Sequence, residues 1–245
     1  MEWSDDALVL SVRAHGETSA ILEVLTRAHG RHLGLVRGGA SRRSKPVLQP
    51  GNTLHLGWRA RLSEHLGNFT VEPAKSRAGE MMEKRAALTG LNAFTAIAGV
   101  ALPEREPHES VFEVGEILLD AMVEDGFAHW APLYVRWEAG LLEALGFGLD
   151  LSRCASTGAT DDLRYVSPRT GRAVSGAAAA PYKERLLALP GFLLGSQNSD
   201  PAAEDIAAGL RLTGYFLQER VLAPQGREMP ATRLRLDELA ARESQ

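Results

Sequence analysis

The stretch Thr53-Leu54-His55-Leu56-Gly57-Trp58-Arg59-Ala60-Arg61 alternates almost strictly between apolar and polar residues. Successive side chains of an extended chain point to opposite faces, so Leu54, Leu56, Trp58 and Ala60 share one side and Thr53, His55, Arg59 and Arg61 the other. One face is suited to a core and the other to water, which is the pattern of a half-buried strand. Downstream, Phe69 and Val71 repeat it after a turn at Gly67-Asn68. Upstream, Asp6 to Arg13 and Ser19 to Thr26 are rich in Val, Leu and Ile. Ala14-His15-Gly16-Glu17 lies between them, which predicts a hairpin. A second turn at Ala28-His29-Gly30 leads into Arg31 to Val36. Arg37 to Gly51, with Gly38-Gly39, Pro46 and Pro50, reads as a long surface loop.

Five short strands within about eighty residues suit a small closed barrel, of the OB type or the SH3-like type. After Gly79 the texture becomes rich in alanine and leucine. Glu80 to Leu102 stops at Pro103, Glu109 to Glu124 near Gly126, and Pro132 to Leu145 at Gly146, giving three helices with Gly or Pro stops. Ile117, Leu118 and Met122 are expected on one buried face. Asp200-Pro201 reads as an N-cap with proline at the first helical position. Ile206, Leu210, Thr213, Leu217 and Val221 then keep helical spacing to Pro224. Residues 150–180, with Gly158, Gly171 and Gly176, show no sustained period and are expected to be an irregular insertion. The expected architecture is thus α+β: a five-stranded barrel over 1–79 and an all-helical domain over 80–245 that carries this insertion.

The composition is that of a globular protein, 44% apolar and 24% charged. The start Met1-Glu2-Trp3-Ser4-Asp5-Asp6 is acidic where a secretory signal would be basic, and no apolar run approaches the roughly 18 residues of a membrane span. The expected location is the cytoplasm, with no membrane partner. Cys154 is the only cysteine, which excludes an intramolecular disulfide and a four-thiolate metal site.

Charge is distributed unevenly. Residues 1–79 carry 11 Lys/Arg and 7 Asp/Glu, whereas residues 80–245 carry 16 and 24. Between Glu23 and Glu64 no acidic residue occurs, while Arg27, Arg31, Arg37, Arg42, Arg43, Lys45, Arg59 and Arg61 supply eight positive charges. Such a surface attracts phosphate backbones through Coulomb interaction and counterion release, and guanidinium groups add bidentate hydrogen bonds. The DNA-binding candidates are therefore Arg31, Arg37, Arg42, Arg43, Lys45, Arg59 and Arg61. The competing reading is a solvated surface, which mixed signs would serve equally well. Trp58 and Phe69 sit at core-facing positions, so phosphate contact and not base stacking should dominate.

Signatures of catalysis are missing. The sequence holds no GxSxG elbow, HExxH pair, GxxxxGK[ST] phosphate loop or GxGxxG dinucleotide turn. His108-Glu109 lacks a second histidine at helical spacing and is expected to be a solvated pair at a helix start. No catalytic residue, metal or cofactor is predicted.

Several short pieces carry a resemblance: Glu17-Thr18-Ser19 after the first strand, Gly30-Arg31 into Leu35-Val36-Arg37-Gly38-Gly39, Ser41-Arg42-Arg43-Ser44, and Leu48-Gln49-Pro50-Gly51. In this order and spacing they resemble the N-terminal signature of the RecO family of recombination mediators, and the helical body extends the likeness over nearly the whole chain. The resemblance implies an OB-fold domain joined to a helical domain with a zinc-finger-like insertion. It also implies binding of single- and double-stranded DNA, annealing of complementary strands, and association with RecR and the tail of single-strand-binding protein during RecA loading. The family's basic loop falls on Arg37, Arg42 and Arg43. Where many relatives have two CxxC pairs, this chain reads Cys154-Ala155-Ser156-Thr157 and Ser175-Gly176-Ala177-Ala178. Hydroxyl and methyl groups do not replace thiolates on zinc, so the insertion is expected to be metal-free and held by Leu163, Tyr165 and Val166. The alternative function is a nucleic-acid-processing enzyme or an RNA-binding module on the same basic barrel, and sensitivity to EDTA would separate an enzyme from a mediator.

Overall fold

The computed structural model describes residues 1–195 and 201–244. They fall into two compact units, Met1–Glu124 and Asp125–Gln245. No helix among the described residues is long and apolar enough to cross a membrane.

The first unit begins with a closed barrel of five strands: β1 (Glu2–His15), β2 (Ser19–Thr26), β3 (Gly30–Val36), β4 (Thr53–Arg59) and β5 (Asn68–Lys75). Strand β1 pairs with β4 through its first half and with β2 through its second. A register shift between Val9 and Ser11 bends it between the two partners. Closure comes from a short parallel pairing of Leu35-Val36 with Asn68-Phe69, giving the order 1-2-3-5-4. This is the OB arrangement, and it resolves the choice that periodicity left open. Ala7, Val9, Leu22, Val24, Val36, Leu54, Leu56, Trp58 and Phe69 fill the interior, with Leu48 of the long loop added to them. Each fully buried Leu or Val contributes roughly 1.5–3 kcal/mol.

Strand β4 departs from the expected alternation at one position. Thr53 is buried, because its hydroxyl bonds Glu116 and receives a hydrogen bond from the buried Arg77 guanidinium at 2.6 Å.

Three helices complete this unit: α1 (Ala78–Glu83), α2 (Arg85–Ala101) and α3 (Glu109–Glu124). The single helix expected over Glu80 to Leu102 is broken at Lys84, whose backbone is extended (φ −111°, ψ 104°) and whose ammonium bonds the Val123 carbonyl. On α3, Leu118 and Met122 are buried as expected, but Ile117 is 59% exposed. The buried stripe is Val111, Phe112, Gly115, Leu118, Leu119 and Met122, and at 100° per residue Ile117 lies on the far side of it.

The second unit holds α4 (Phe127–Ala144), α5 (Gly176–Ala179), α6 (Ala203–Phe216) and α7 (Ala231–Glu243), and a three-stranded sheet of β6 (Leu163–Val166), β7 (Ala173–Ser175) and β8 (Leu187–Ala188) in the order β7-β6-β8. Helix α4 starts five residues before the expected Pro132 and keeps that proline inside. The carbonyl left without a donor is that of Ala128, an exposed residue that water can satisfy. Its stop at Gly146 (φ +83°) is as read. The expected N-cap Asp200 lies outside the described residues, but α6 is capped by Ala202, so Pro201 stands ahead of the helix and not at the expected first position. Ile206, Leu210, Thr213, Leu217 and Val221 are all buried, the last two on a wider turn, Leu217–Leu222, that continues α6. The small sheet corrects the expectation of an all-helical domain with an irregular insertion. Strands of two to four residues are too short to show a period.

Candidate nucleic-acid interface

The loop after β3 is ordered from below while its charges stay outside. Gly38 takes a left-handed conformation (φ +71°) that lets the chain turn sharply off the strand. Gly39 N–H then bonds Val36 O, and Ala40 N–H bonds Thr18 O in the β1–β2 turn. Further on, Leu48 inserts into the barrel, and the buried Asn52 amide donates to the carbonyls of Pro46 (2.9 Å) and Val47 (3.1 Å). The Asn52 side-chain oxygen accepts from the N–H groups of Arg77 and Ala78. On this support Arg37, Arg42, Arg43 and Lys45 are exposed, and none has a carboxylate partner among the described residues.

The structure separates the remaining cations of the acid-free stretch. Arg59 is 84% exposed and only 3.9 Å from an equally solvated Glu2, a pair of little worth. Arg61 is exposed in the β4–β5 loop. Arg31 is committed internally: its side chain is 13% exposed, bonds Glu23 at 2.6 Å and the Leu102 carbonyl at 2.8 Å, and lies 3.7 Å from Glu104. Arg27 likewise holds Glu113 at 2.6 Å and lies over the Phe112 ring. Sequence reasoning passed over Arg13, exposed on β1 beside the same turn. The charge of Glu23, which marked the edge of the acid-free stretch, is taken up by Arg31 and the Ser11 hydroxyl.

Arg105 was also missed. It has a left-handed backbone (φ +63°), donates its N–H to Arg31 O at 2.8 Å, and spans with its guanidinium to the carbonyls of Glu64 and His65. It therefore fixes the loop that carries Arg61. Replacing Arg105 with Gly relieves backbone strain of about 1 kcal/mol while deleting the two loop bonds. We expect stability close to wild type, faster amide exchange over 60–67, and lower stability for Arg105→Ala, which keeps the strain and loses the bonds. Unchanged exchange in both variants would contradict the assignment.

Aromatic rings are unavailable as platforms here. Trp58 and Phe69 are buried, and Trp3 is stacked between His29 (4.0 Å) and Trp58 (5.6 Å). His108 corrects its solvated reading: its side chain is mostly buried, 3.7 Å from Glu106.

In the second unit, Cys154 is buried. Its sulfur accepts from the Ser175 N–H (3.3 Å) and hydroxyl (3.5 Å). Thr157, Ser175 and Ala178 occupy the other three positions where thiolates would stand, and no cluster of three potential metal ligands occurs among the described residues. The residues present do not fit zinc. Of the three residues expected to hold the insertion by packing, Leu163 and Val166 are buried and Tyr165 is half-buried. The hydroxyls of Ser175 and then Thr157 pull the thiol down to about 6, with burial opposing.

A folded-state pKa below the unfolded value of about 8.5 gives stabilisation that is complete above 8.5 and lost as pH falls through 6. We therefore expect Cys154→Ser to fold, with a stability deficit that shrinks as pH is lowered from 8.5 to below 6. A pH-independent deficit in denaturant titrations would contradict the thiolate, and stoichiometric zinc by elemental analysis would contradict the metal-free site.

An OB barrel with an ordered cationic loop, followed by a helical body, defines a class of barrel-and-helix proteins with a phosphate-attracting surface. The family described as Recombination protein O N terminal matches residues 1–77, and Recombination protein O C terminal matches residues 82–228. Curated relatives named DNA repair protein RecO are similar along the chain. One from Cereibacter sphaeroides is 54% identical over 244 residues, covering 99% of this chain and 100% of the relative. One from Phenylobacterium zucineum is 53% identical over 234 residues, covering 96% and 95%. One from Ruegeria sp. is 51% identical over 246 residues, covering 99% and 100%. The chain belongs to the RecO family, whose role is in DNA repair and recombination.

Proposed function

We propose that this protein is a non-catalytic, cytoplasmic recombination mediator that binds single- and double-stranded DNA, anneals complementary strands, and assists RecA loading together with RecR. The observation that carries the reading is the loop bearing Arg37, Arg42, Arg43 and Lys45, four solvent-facing cations without carboxylate partners among the described residues, on an ordered support. Arg59, Arg61 and Arg13 extend the surface, and Arg31 positions it through Glu23 and Leu102. The mechanism is electrostatic. Cationic groups neutralise two approaching phosphate backbones, release their counterions, and let the bases search for pairing. No nucleotide, metal or covalent step is needed.

Residues 1–79 are the DNA-binding domain in this reading, and the helical remainder, 80–245, faces protein partners. A groove of about 520 Å³ lined by Arg136, Leu149, Leu151, Phe192 and Leu193 suits the tail of single-strand-binding protein. Its apolar walls suit apolar side chains of that tail, while Arg136, bonded to the Phe192 carbonyl, and Glu143 place one charge of each sign at its edge.

The test is a fluorescence annealing assay with short complementary strands, free and coated with single-strand-binding protein, run in EDTA. Accelerated annealing in EDTA is expected. Activity that appears only with a divalent ion would point instead to a nucleic-acid-processing enzyme.

A further inference from the structure

Annealing requires two strands, and the second unit repeats the charge pattern that identifies the barrel loop. Residues 163–183 contain no acidic residue and carry Arg164, Arg169, Arg172 and Lys183, a density of positive charge like that of the barrel stretch. The fold places Arg169 and Arg172 at the hairpin end of the small sheet, whereas Arg164 lies toward its other end, paired with Asp162. The β6–β7 hairpin turns through Ser167 to Gly171, with Ser167 N–H on Arg172 O (3.0 Å) and Gly171 N–H on Ser167 O (2.8 Å). On the other side of β6, Leu187 pairs with Val166, so Arg185, two residues earlier, runs alongside the same turn. Arg220, on the wide turn after α6, donates to the Arg169 carbonyl. Four cations therefore lie at this end, Arg169, Arg172, Arg185 and Arg220, and Lys183 opens the short turn that leads to Arg185. Arg172 is partly neutralised by Asp150 at 3.2 Å, and Glu184 and Glu219 are sequence neighbours of the others. Arg169, Lys183 and Arg185 are exposed and have no carboxylate partner among the described residues.

Unlike the barrel loop, this end also offers aromatic surface. Tyr182, beside Lys183, is 60% exposed. Phe147, 42% exposed, lines with Thr170, Gly171 and Arg220 a cleft of about 170 Å³ at the hairpin turn. Guanidinium groups interleaved with free aromatic faces suit a single strand, whose phosphates pair with the cations while its unstacked bases cover the rings.

We propose that the β6–β7 hairpin end is a second nucleic-acid surface, taking the phosphate backbone and bases of a second single strand. The inference rests on the DNA reading above and adds a site to it. The barrel captures one strand by charge, and the hairpin holds the other.

The test uses the full chain and two short non-complementary strands, one carrying a donor dye and one an acceptor. Wild type is expected to bring the dyes together. Arg169→Glu with Arg185→Glu should bind one strand within about threefold of wild type, lose the two-strand signal, and anneal at least about tenfold more slowly, since about two phosphate contacts are gone. Both residues are exposed, so the circular dichroism and melting of the variant should match wild type. Arg169→Lys with Arg185→Lys should restore most of the signal.

A two-strand signal and annealing rate unchanged by the glutamate pair would overturn the inference while leaving the barrel site standing. Loss of binding to a polyglutamate peptide with the two-strand signal intact would also overturn it, by assigning the surface to an acidic protein. Failure of the wild-type chain to bind any strand would overturn the DNA reading itself, and this inference with it.

Discussion

Reversing Arg37, Arg42 and Arg43 to glutamate is expected to abolish single-strand binding at the barrel, and with it annealing, while leaving the circular dichroism of the protein unchanged. The three side chains project from a loop whose structural anchors are other residues, Leu48, Asn52, Gly38 and Gly39. They are exposed and have no carboxylate partner among the described residues, so the fold does not depend on them. With four or five phosphates neutralised in the wild-type complex, log K should fall with log salt at a slope near −3, about −0.7 per contact. The reversed variant should show a much shallower slope. Salt dependence separates the two ways of losing affinity: an unfolded variant loses its dichroism as well, whereas a phosphate-contact variant loses binding alone. Wild-type affinity with an unchanged slope would make the loop a solvated surface and nothing more.

The second large effect is on stability and lies in the other unit. Arg233 of α7 is fully buried against Glu138 of α4, with Nε to Oε1 at 2.6 Å and Nη2 to Oε2 at 2.9 Å. It also donates to Leu210 O of α6 and to Asp237, and the Thr213 hydroxyl donates to Glu138. Burial works against the Arg233 charge, yet the Glu138 carboxylate overrides it and raises its pKa. Substituting Arg233 with Met strands a carboxylate in the core, a change worth about 3–5 kcal/mol. That is a large part of a typical domain stability of about 5–15 kcal/mol. A drop in melting temperature of roughly 10–20 °C should follow. Adding Glu138→Leu should recover most of the loss, because an apolar pair of similar volume replaces an ion pair at little net cost. Equal destabilisation in the single and double variants would show that packing volume, and not the stranded charge, sets the effect.

These two sites differ in how far they could be read from the chain. The barrel was legible because alternation at Leu54, Leu56 and Trp58 and the turn residues Gly16, Gly30 and Gly67 are local signals, and local signals decide strands and hairpins. The loop cations were legible because charge needs no partner to be recognised. What failed to show was whatever depends on distant residues. Arg31 looked free because Leu102 and Glu104 lie more than seventy positions away, and Arg27 because Glu113 does. Thr53 looked exposed because Glu116 covers it from α3.

Helix α7 was missed for a related reason. Its buried face includes Arg233, and a charged residue in a core position removes the apolar period that marks a helix. The break at Lys84 is likewise tertiary, held by the Val123 carbonyl. The short strands β6, β7 and β8 are stabilised by pairing with one another and carry too few residues for a pattern.

The acidity assigned to the helical part also proves to be concentrated. Residues 80–124 hold 9 Asp/Glu against 3 Lys/Arg, and 125–245 hold 15 against 13. The compact unit that carries the cationic loop therefore carries helices of opposite sign, and these should repel a phosphate backbone as the loop attracts it.

That contrast makes one measurement decisive. A short single strand bearing photoreactive bases, irradiated in complex with the full chain at low salt and followed by peptide mass spectrometry, reports which segments the strand lies against. The electrostatic account predicts crosslinks within residues 37–61, with none in 80–124, and their disappearance in the Arg37, Arg42 and Arg43 reversal. Crosslinks confined to 80–124, or retained at 37–61 after the reversal, would contradict it.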